Sequence, residues 1–325
     1  MERASSDSVL EFAGRFDAVA SNVEHVIQGK RSVIDEVLMC LIAEGHVLVE
    51  DVPGVGKTLL AKSIARSIDC TFHRIQFTPD LLPSDVTGVS VWDRQKAEFS
   101  FKRGAIFANV VVGDEINRAS PKTQAALLEA MEERQVTIDG VTRPLDPPFI
   151  VLATQNPLEH EGTYPLPEAQ LDRFMVRLRI GYPDHAKELE MLDTHGVRST
   201  FLDLEPVITA EEVMGLIEIA RHVYVAPSVK EYIVDLVTAT RRHGEILLGS
   251  SPRSALYLQR LARARAASDS REFVTPDDIK ALAEPVLTHR MALRPEAQMR
   301  GTTIEEVIES VLRNLRVPGS TRVAT

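Results

Sequence analysis

Long hydrophobic runs are missing from this 325-residue chain. None approaches the ~18 residues that a membrane-spanning helix needs. The first residues, MERASSDSVLEF, lack a basic stretch leading into an apolar core, so no secretory leader is expected. Cysteine is scarce. Cys40 and Cys70 are the only two, they lie in apolar surroundings without ligand spacing, and they read as reduced, buried thiols of a cytoplasmic protein. A positive surplus is also lacking, with 37 Lys and Arg against 47 Asp and Glu and a net charge of −10. That balance argues against a chain whose main task is coating nucleic acid, which needs clustered basic side chains. The densest basic groups, Arg241-Arg242 and Arg260/Arg263/Arg265, read as solvated helix faces. The nine histidines include no close pair on a helix face, so surface or structural roles are expected rather than metal binding. Trp92, the single tryptophan, is expected to pack in the core of a local hairpin. No internal repeat or low-complexity tract is present.

What is there is an ordinary globular balance, 44% apolar and 26% charged, in a length that suits roughly two domains. Residues 1–183 read as an α/β domain with candidate strands at 46–50, 71–77, 109–114, 149–155 and 175–180. The third and fourth, NVVVGD and FIVLAT, are continuous apolar runs, as in strands covered on both faces of a parallel sheet. Ser120 with Pro121 opens an amphipathic helix between them. Two segments, 89–101 and 136–145, read as inserted hairpins, the second turning on Asp139-Gly140. After Tyr182-Pro183 the strands are expected to stop. Thr209/Glu212, Ser228/Glu231, Thr275/Asp278 and Thr303/Glu306 each have the spacing of a helix start, with Val274 as a hydrophobic staple. Residues 184–325 therefore read as an all-α domain, fraying after Val317-Pro318-Gly319.

The chemistry begins at HVLVEDVPGVGKTLLAKSIAR, residues 46–66. An apolar strand runs into a Gly- and Pro-containing loop that opens a helix. Such a loop offers successive backbone N–H groups to an anion where the helix macrodipole also favours negative charge. Lys57 can reach β- and γ-phosphates, and Thr58 is placed to hold Mg²⁺. Asp51 stands where the general pattern has its first glycine. Some fifty residues on, Asp114 and Glu115 end a buried strand, the edge at which open α/β sheets bind ligands. Asp114 is expected to hold Mg²⁺ and Glu115 to polarise the attacking water. Asn156, after the next strand, can orient water near the γ-phosphate. Arg173, ahead of the last strand, and Arg253, in a helix first turn where a cation opposes the dipole, read equally well as surface ion pairs or as anion contacts.

The set VIQG, DVPGVGKT, VVVGDEINRASPKTQAALLEAMEE, ATQNPLEHEGTYPLPEAQLDRF and SPRS, in this order, resembles an AAA+ ATPase of the MoxR family over residues 20–320. The resemblance implies a P-loop core with a five-stranded parallel sheet and inserted hairpins, a helical lid, and assembly into a ring, taken as a hexamer. It implies ATP and Mg²⁺ as ligands. Val26, Ile27 and Gly29 would line the adenine. Pro53, Gly54, Val55, Gly56, Lys57, Thr58 and Leu59 would cradle the phosphates. Asn156 would be sensor 1, and Arg173 an arginine finger reaching a neighbouring subunit. Arg253 would be sensor 2, linking the lid to the γ-phosphate, and Arg118 is a weaker candidate for a trans contact. The function implied is a chaperone-like remodeller of protein or metalloenzyme complexes, with a von Willebrand factor A-domain protein as adaptor and a protein client. The rival readings are a nucleic-acid-directed motor or loader, and a nucleotide-gated scaffold with little turnover.

Overall fold

Alternating apolar runs and amphipathic segments build a layered core with its helices on both faces of one sheet. The structure, a computed structural model, describes residues 3–52, 54–156, 162–183, 185–186, 188–189 and 200–318. The chain passes through α1 (Ser6–Glu24), α2 (Arg31–Ile42), β1 (Val47–Glu50), α3 (Lys57–Ser67), β2 (Phe72–Gln76) and α4 (Pro83–Thr87). A hairpin follows, β3 (Gly88–Asp93) and β4 (Glu98–Arg103), then β5 (Val110–Asp114) and α5 (Pro121–Glu133). A second hairpin, β6 (Gln135–Ile138) and β7 (Val141–Pro144), leads to β8 (Ile150–Gln155), α6 (Glu168–Leu171) and β9 (Val176–Leu178).

The five core strands are parallel in the order β2-β5-β8-β1-β9. Val110, Val111 and Val112 of β5, with Ile150 and Val151 of β8, are fully buried. Their alternate residues enter two apolar clusters, one on each face of the sheet. Each large apolar side chain so buried contributes about 1.5–3 kcal/mol, which is why these strands carry no polar alternation. His46 pins three elements together. One ring nitrogen lies 3.0 Å from the Met131 carbonyl near the end of α5, and the other accepts the Val151 N–H at 3.0 Å.

The second part contains α7 (Ala210–His222), α8 (Pro227–Arg242), β10 (Ile246–Leu248), α9 (Pro252–Ser268), α10 (Pro276–Leu287), β11 (Ala292–Leu293), α11 (Pro295–Met299) and α12 (Ile304–Asn314). It is helical, but β10 and β11 pair antiparallel, so the strands do not stop at Pro183. The capping boxes at Thr209, Thr275 and Thr303 form as expected. Ser228 does not cap its helix. Pro227 takes the first helical position and Ala226 the cap, because a proline lacks the N–H that a cap would satisfy.

The expected domain boundary falls at residue 184, outside the described residues, as does the chain after Pro318. The two parts share one apolar cluster, and α1 packs on α9 and α7 as well as on α2 and α3. A buried latch adds to this. Arg290, after α10, donates to Asp172 at 2.8 Å and to the carbonyls of Phe174 and Val286. The latch therefore sits at the N-terminal edge of β9.

Candidate functional site: a phosphate loop at the C-terminal edge of the sheet

The loop leaving β1 enters α3 through Gly54 and Gly56, whose φ values are +88° and +89°. Only glycine adopts that region at little cost, and the conformation turns the backbone around the start of the helix. Pro53 lies outside the described residues. Val55 and Leu59 are half-buried against the apolar cluster and anchor the loop from below. The side chain of Asp51 supplies the other anchor. Its Oδ2 accepts the Gly181 N–H at 2.6 Å and its Oδ1 accepts the Val52 N–H at 2.8 Å. The acid that replaces a glycine thus ties the loop to the segment after β9.

A cavity of about 440 Å³ opens over this loop, lined by Gly54, Gly56, Lys57, Thr58, Leu59, Asp114, Glu115, Thr154 and Asn156, with Arg74 and Gln76 at its β2 side. The structure brings together the phosphate-loop, acidic and Asn156 candidates. Lys57 donates to the Asp51 carbonyl at 2.5 Å. Burial pulls its pKa down, while Asp51, Asp114 and Glu115 pull it back up.

The two acids are held by residues that sequence reading missed. Thr154 donates to Asp114 Oδ1 at 2.6 Å and accepts the Glu115 N–H at 2.9 Å, which sets the two acids at a fixed spacing. Arg74 reaches Asp114 Oδ2 at 2.7 Å. Gln76 and Arg118 both donate to Glu115 Oε2, at 2.8 and 3.0 Å. Arg118, a candidate for a neighbour contact, here holds the acid of its own chain. Glu115 has φ +57°, a left-handed conformation that costs a non-glycine residue roughly 1–3 kcal/mol and is concentrated at functional sites. The signal was the place of Gln76 and Thr154 near the ends of strands beside β5, with Arg74 two residues before Gln76, which becomes legible once the strand order is known.

Val26 and Ile27 are buried in the apolar cluster and do not line the phosphate cavity. Ile27 abuts the loop, its Cδ1 lying 3.9 Å from where a Cβ on Gly56 would stand. Gly29 has φ +69°, within the turn between α1 and α2.

Arg173 and Arg253 are not at this cavity. Parallel strands put Asp51, Asp114 and Asn156 at one edge of the sheet and Glu44, Arg173 and the start of β9 at the other. Helix α5 runs back to that second edge, as the His46–Met131 contact shows. There Glu132 takes Arg173 Nε at 3.1 Å on one oxygen and Arg253 Nη2 at 2.5 Å on the other. Strands of four or five residues at ~3.3 Å each separate the edges by about 15 Å. Arg253 therefore does not link the lid to the phosphates of its own chain, because packing of α9 on α1 and the latch of Arg290 on Asp172 hold the lid at the opposite edge.

Trp92 also differs from expectation. It is 50% exposed, packing edge-to-face on Phe99 at 5.1 Å, and Phe99 is itself 71% exposed. The packing that the insert has, Phe101 on Phe107 and under Arg143, lies toward the other end of its strands and leaves this pair exposed. Of the basic groups, Arg241 donates to the Ser250 carbonyl and Arg265 pairs with Asp278, so neither set is simply a solvated face. Cys40 is buried and Cys70 only partly so. Among the described residues no group of His, Cys, Asp and Glu has a metal-binding arrangement of its own, and no helix is long and apolar enough to cross a membrane.

Comparison with known proteins agrees with this geometry. Residues 46–176 match the family described as "ATPase family associated with various cellular activities (AAA)", and residues 238–311 match an AAA lid domain. The chain is 50% identical over 297 residues to the protein YeaC of Bacillus subtilis, covering 91% of this chain and 93% of that one. It is 40% identical over 305 residues to Chaperone MoxR1 of Mycobacterium tuberculosis, covering 91% and 80%. A solved structure of a provisionally named ATPase from Cytophaga hutchinsonii superposes with a TM-score of 0.90 at 40% identity, covering 96% of this chain and 97% of that one.

Proposed function

Because this chain belongs to the MoxR family of AAA+ ATPases, we propose that it hydrolyses ATP with Mg²⁺ in a hexameric ring and couples the cycle to remodelling of protein or metalloenzyme complexes in the cytoplasm. The observation that carries this reading is the convergence of Lys57, Thr58, Asp114, Glu115 and Asn156 on one cavity. The donor set fits the ligands. Glycine-turned backbone and a lysine suit phosphate, and a hydroxyl with a carboxylate suits Mg²⁺, which prefers oxygen. Bound at Thr58 and Asp114, the ion would neutralise charge on the phosphate oxygens.

The protein's own residues then divide the work. Loop amides and Lys57 hold the phosphates of ATP. Glu115, fixed by Gln76, Arg118 and Thr154, orients water for in-line attack on the γ-phosphorus. The bond from that phosphorus to the bridging oxygen breaks, and ADP leaves with the electron pair. Asn156 keeps the water aligned, and Val26, Ile27 and Gly29 face the base. Arg173 and Arg253, too far from their own cavity, serve the nucleotide of the next subunit. An arginine supplied in trans accelerates related reactions by about 10³–10⁵-fold.

The exposed Trp92 and Phe99 at the first hairpin are the contact for the client, and a von Willebrand factor A-domain protein is the adaptor. The name of the MoxR1 relative supports a chaperone role. Phosphate release by the assembled protein, with and without Mg²⁺, tests the reaction. Affinity capture with Glu115→Gln then identifies the client. An assembled ring that binds ATP without releasing phosphate would sink the ATPase reading and favour a nucleotide-gated scaffold.

A further inference from the structure

At the edge of the sheet opposite the phosphate loop, a cavity of about 240 Å³ lies among the end of α2, the end of α7 and the middle of α9. Three arginines and one carboxylate line it: Arg221, Arg260, Arg263 and Glu44. The carboxylate is already committed. Glu44 takes Arg221 at 2.5 Å and Arg134 at 2.8 Å, and its carbonyl accepts a further bond from Arg134. Arg221 is completed by Glu218. Two positive charges, on Arg260 and Arg263, are left without a counter-charge in the cavity.

Arg260 is exposed, but Arg263 is not simply an arginine lying over apolar surface with its head in water. Among the described residues neither donates a hydrogen bond nor makes an ion pair, and Arg263 Nε is shut off from solvent with no acceptor. The two are three residues apart on α9 and so are neighbours on its surface, where like charges repel. Burial and the adjacent Arg260 both push the Arg263 pKa down. Arg265, two positions on, shows the usual solution, an ion pair with Asp278. The C-terminal dipoles of α2 and α7 offset part of the charge. Neither arginine reaches the carbonyls of those helix ends, so that compensation is partial.

We propose that this cavity is a binding site for a small oxyanion, a phosphate or a carboxylate, held between Arg260 and Arg263. A water takes about 30 Å³, so the volume admits such a group together with a few waters. Guanidinium and oxyanion form forked, charge-assisted hydrogen bonds, and the buried Arg263 Nε supplies one donor aimed at no other partner. The anion is either free phosphate, the product released at the opposite edge of the sheet, or an acidic side chain of a second copy of this chain. The site shares no residue with the phosphate loop and stands or falls separately from the ATPase reading; only the origin of the phosphate as a released product rests on that reading.

The test uses full-length protein saturated with MgADP, so that the phosphate loop is occupied. Inorganic phosphate is titrated at constant ionic strength against chloride while the unfolding temperature and the self-association constant are measured. If free phosphate is the ligand, the wild type shows a saturable rise in unfolding temperature that is lost in Arg260→Gln and Arg263→Gln and kept in the surface control Arg242→Gln. If a carboxylate of a second copy fills the site, phosphate has no such effect, and self-association weakens at least tenfold in the two variants. Arg260 is exposed, so Arg260→Gln reports even if Arg263→Gln fails to fold. A phosphate response that persists in Arg260→Gln overturns the proposal. So does the absence of both a phosphate response and a change in self-association.

Discussion

Asp51 Oδ2 accepts the backbone N–H of Gly181 at 2.6 Å, and this bond joins the phosphate loop to the segment after the last core strand. The same acid lies near Lys57 and favours its charged form against the effect of burial. Anchor and charge can be separated by mutation. Asp51→Asn keeps an acceptor for Gly181 and removes the negative charge, so MgATP should bind several-fold more tightly with little loss of stability. Asp51→Ala removes the acceptor and should cost about 1–3 kcal/mol, the penalty for an unpaired, partly buried donor. Calorimetric titration with thermal unfolding measures both. Equal effects of the two variants on unfolding would show that the Gly181 bond is not an anchor.

Arg74 pairs with Oδ2 of Asp114, the carboxylate that would hold Mg²⁺. Half of this arginine is exposed, so the pair is easily exchanged. Arg74→Ala is expected to lower the Mg²⁺ concentration at half-maximal phosphate release several-fold, read from a Mg²⁺ titration at fixed ATP. An unchanged midpoint would mean that Arg74 and the ion do not compete.

Burial and a nearby cation lower the pKa values of two histidines: His46 to about 4, and His289 well below its ordinary value. A histidine with a depressed folded pKa keeps its full contribution to stability above the unfolded pKa, near 6.5. The contribution is lost as pH falls from there toward the folded value, because only the unfolded state takes the proton. For His46 the window runs from about 6.5 to 4 and carries about 3 kcal/mol. Unfolding free energies across that range should therefore drop more steeply for the wild type than for His46→Gln. Parallel curves for the two proteins would contradict the assignment.

Glu132 holds Arg173 and Arg253 on its two oxygens. Glu132→Ala leaves two like-charged side chains with no common anchor. Phosphate release per ring should fall, by analogy with other misplaced catalytic groups roughly 10²-fold, while MgATP affinity stays as in the wild type. Loss of affinity to the same degree would point to a general structural role instead.

Much of this was legible from residues alone. The continuous apolar runs of β5 and β8 announced a sheet covered on both faces, and the G-K-T turn and the Asp114-Glu115 pair pointed to residues that do share one cavity at its C-terminal edge. What could not be read was lateral order. Thr154 and Arg74 meet Asp114 only because β8 and β2 flank β5, a pairing set by long-range packing. Arg253 went to the wrong edge for the same reason, since motif spacing does not say on which side of the sheet a lid docks. Ser228 lost its cap to the neighbouring Pro227, and Trp92 kept its exposure because the packing on its hairpin is concentrated at Phe101, toward the other end of the strands.

The account turns on Arg173 completing the site of a neighbour rather than its own. Arg173→Ala and Glu115→Gln subunits should each form rings that bind ATP and release almost no phosphate. Mixed in one ring, they should recover activity, because some interfaces then pair an intact Glu115 with an intact Arg173 from the next subunit. Mixed rings confirmed by native mass spectrometry that still release no phosphate would contradict it.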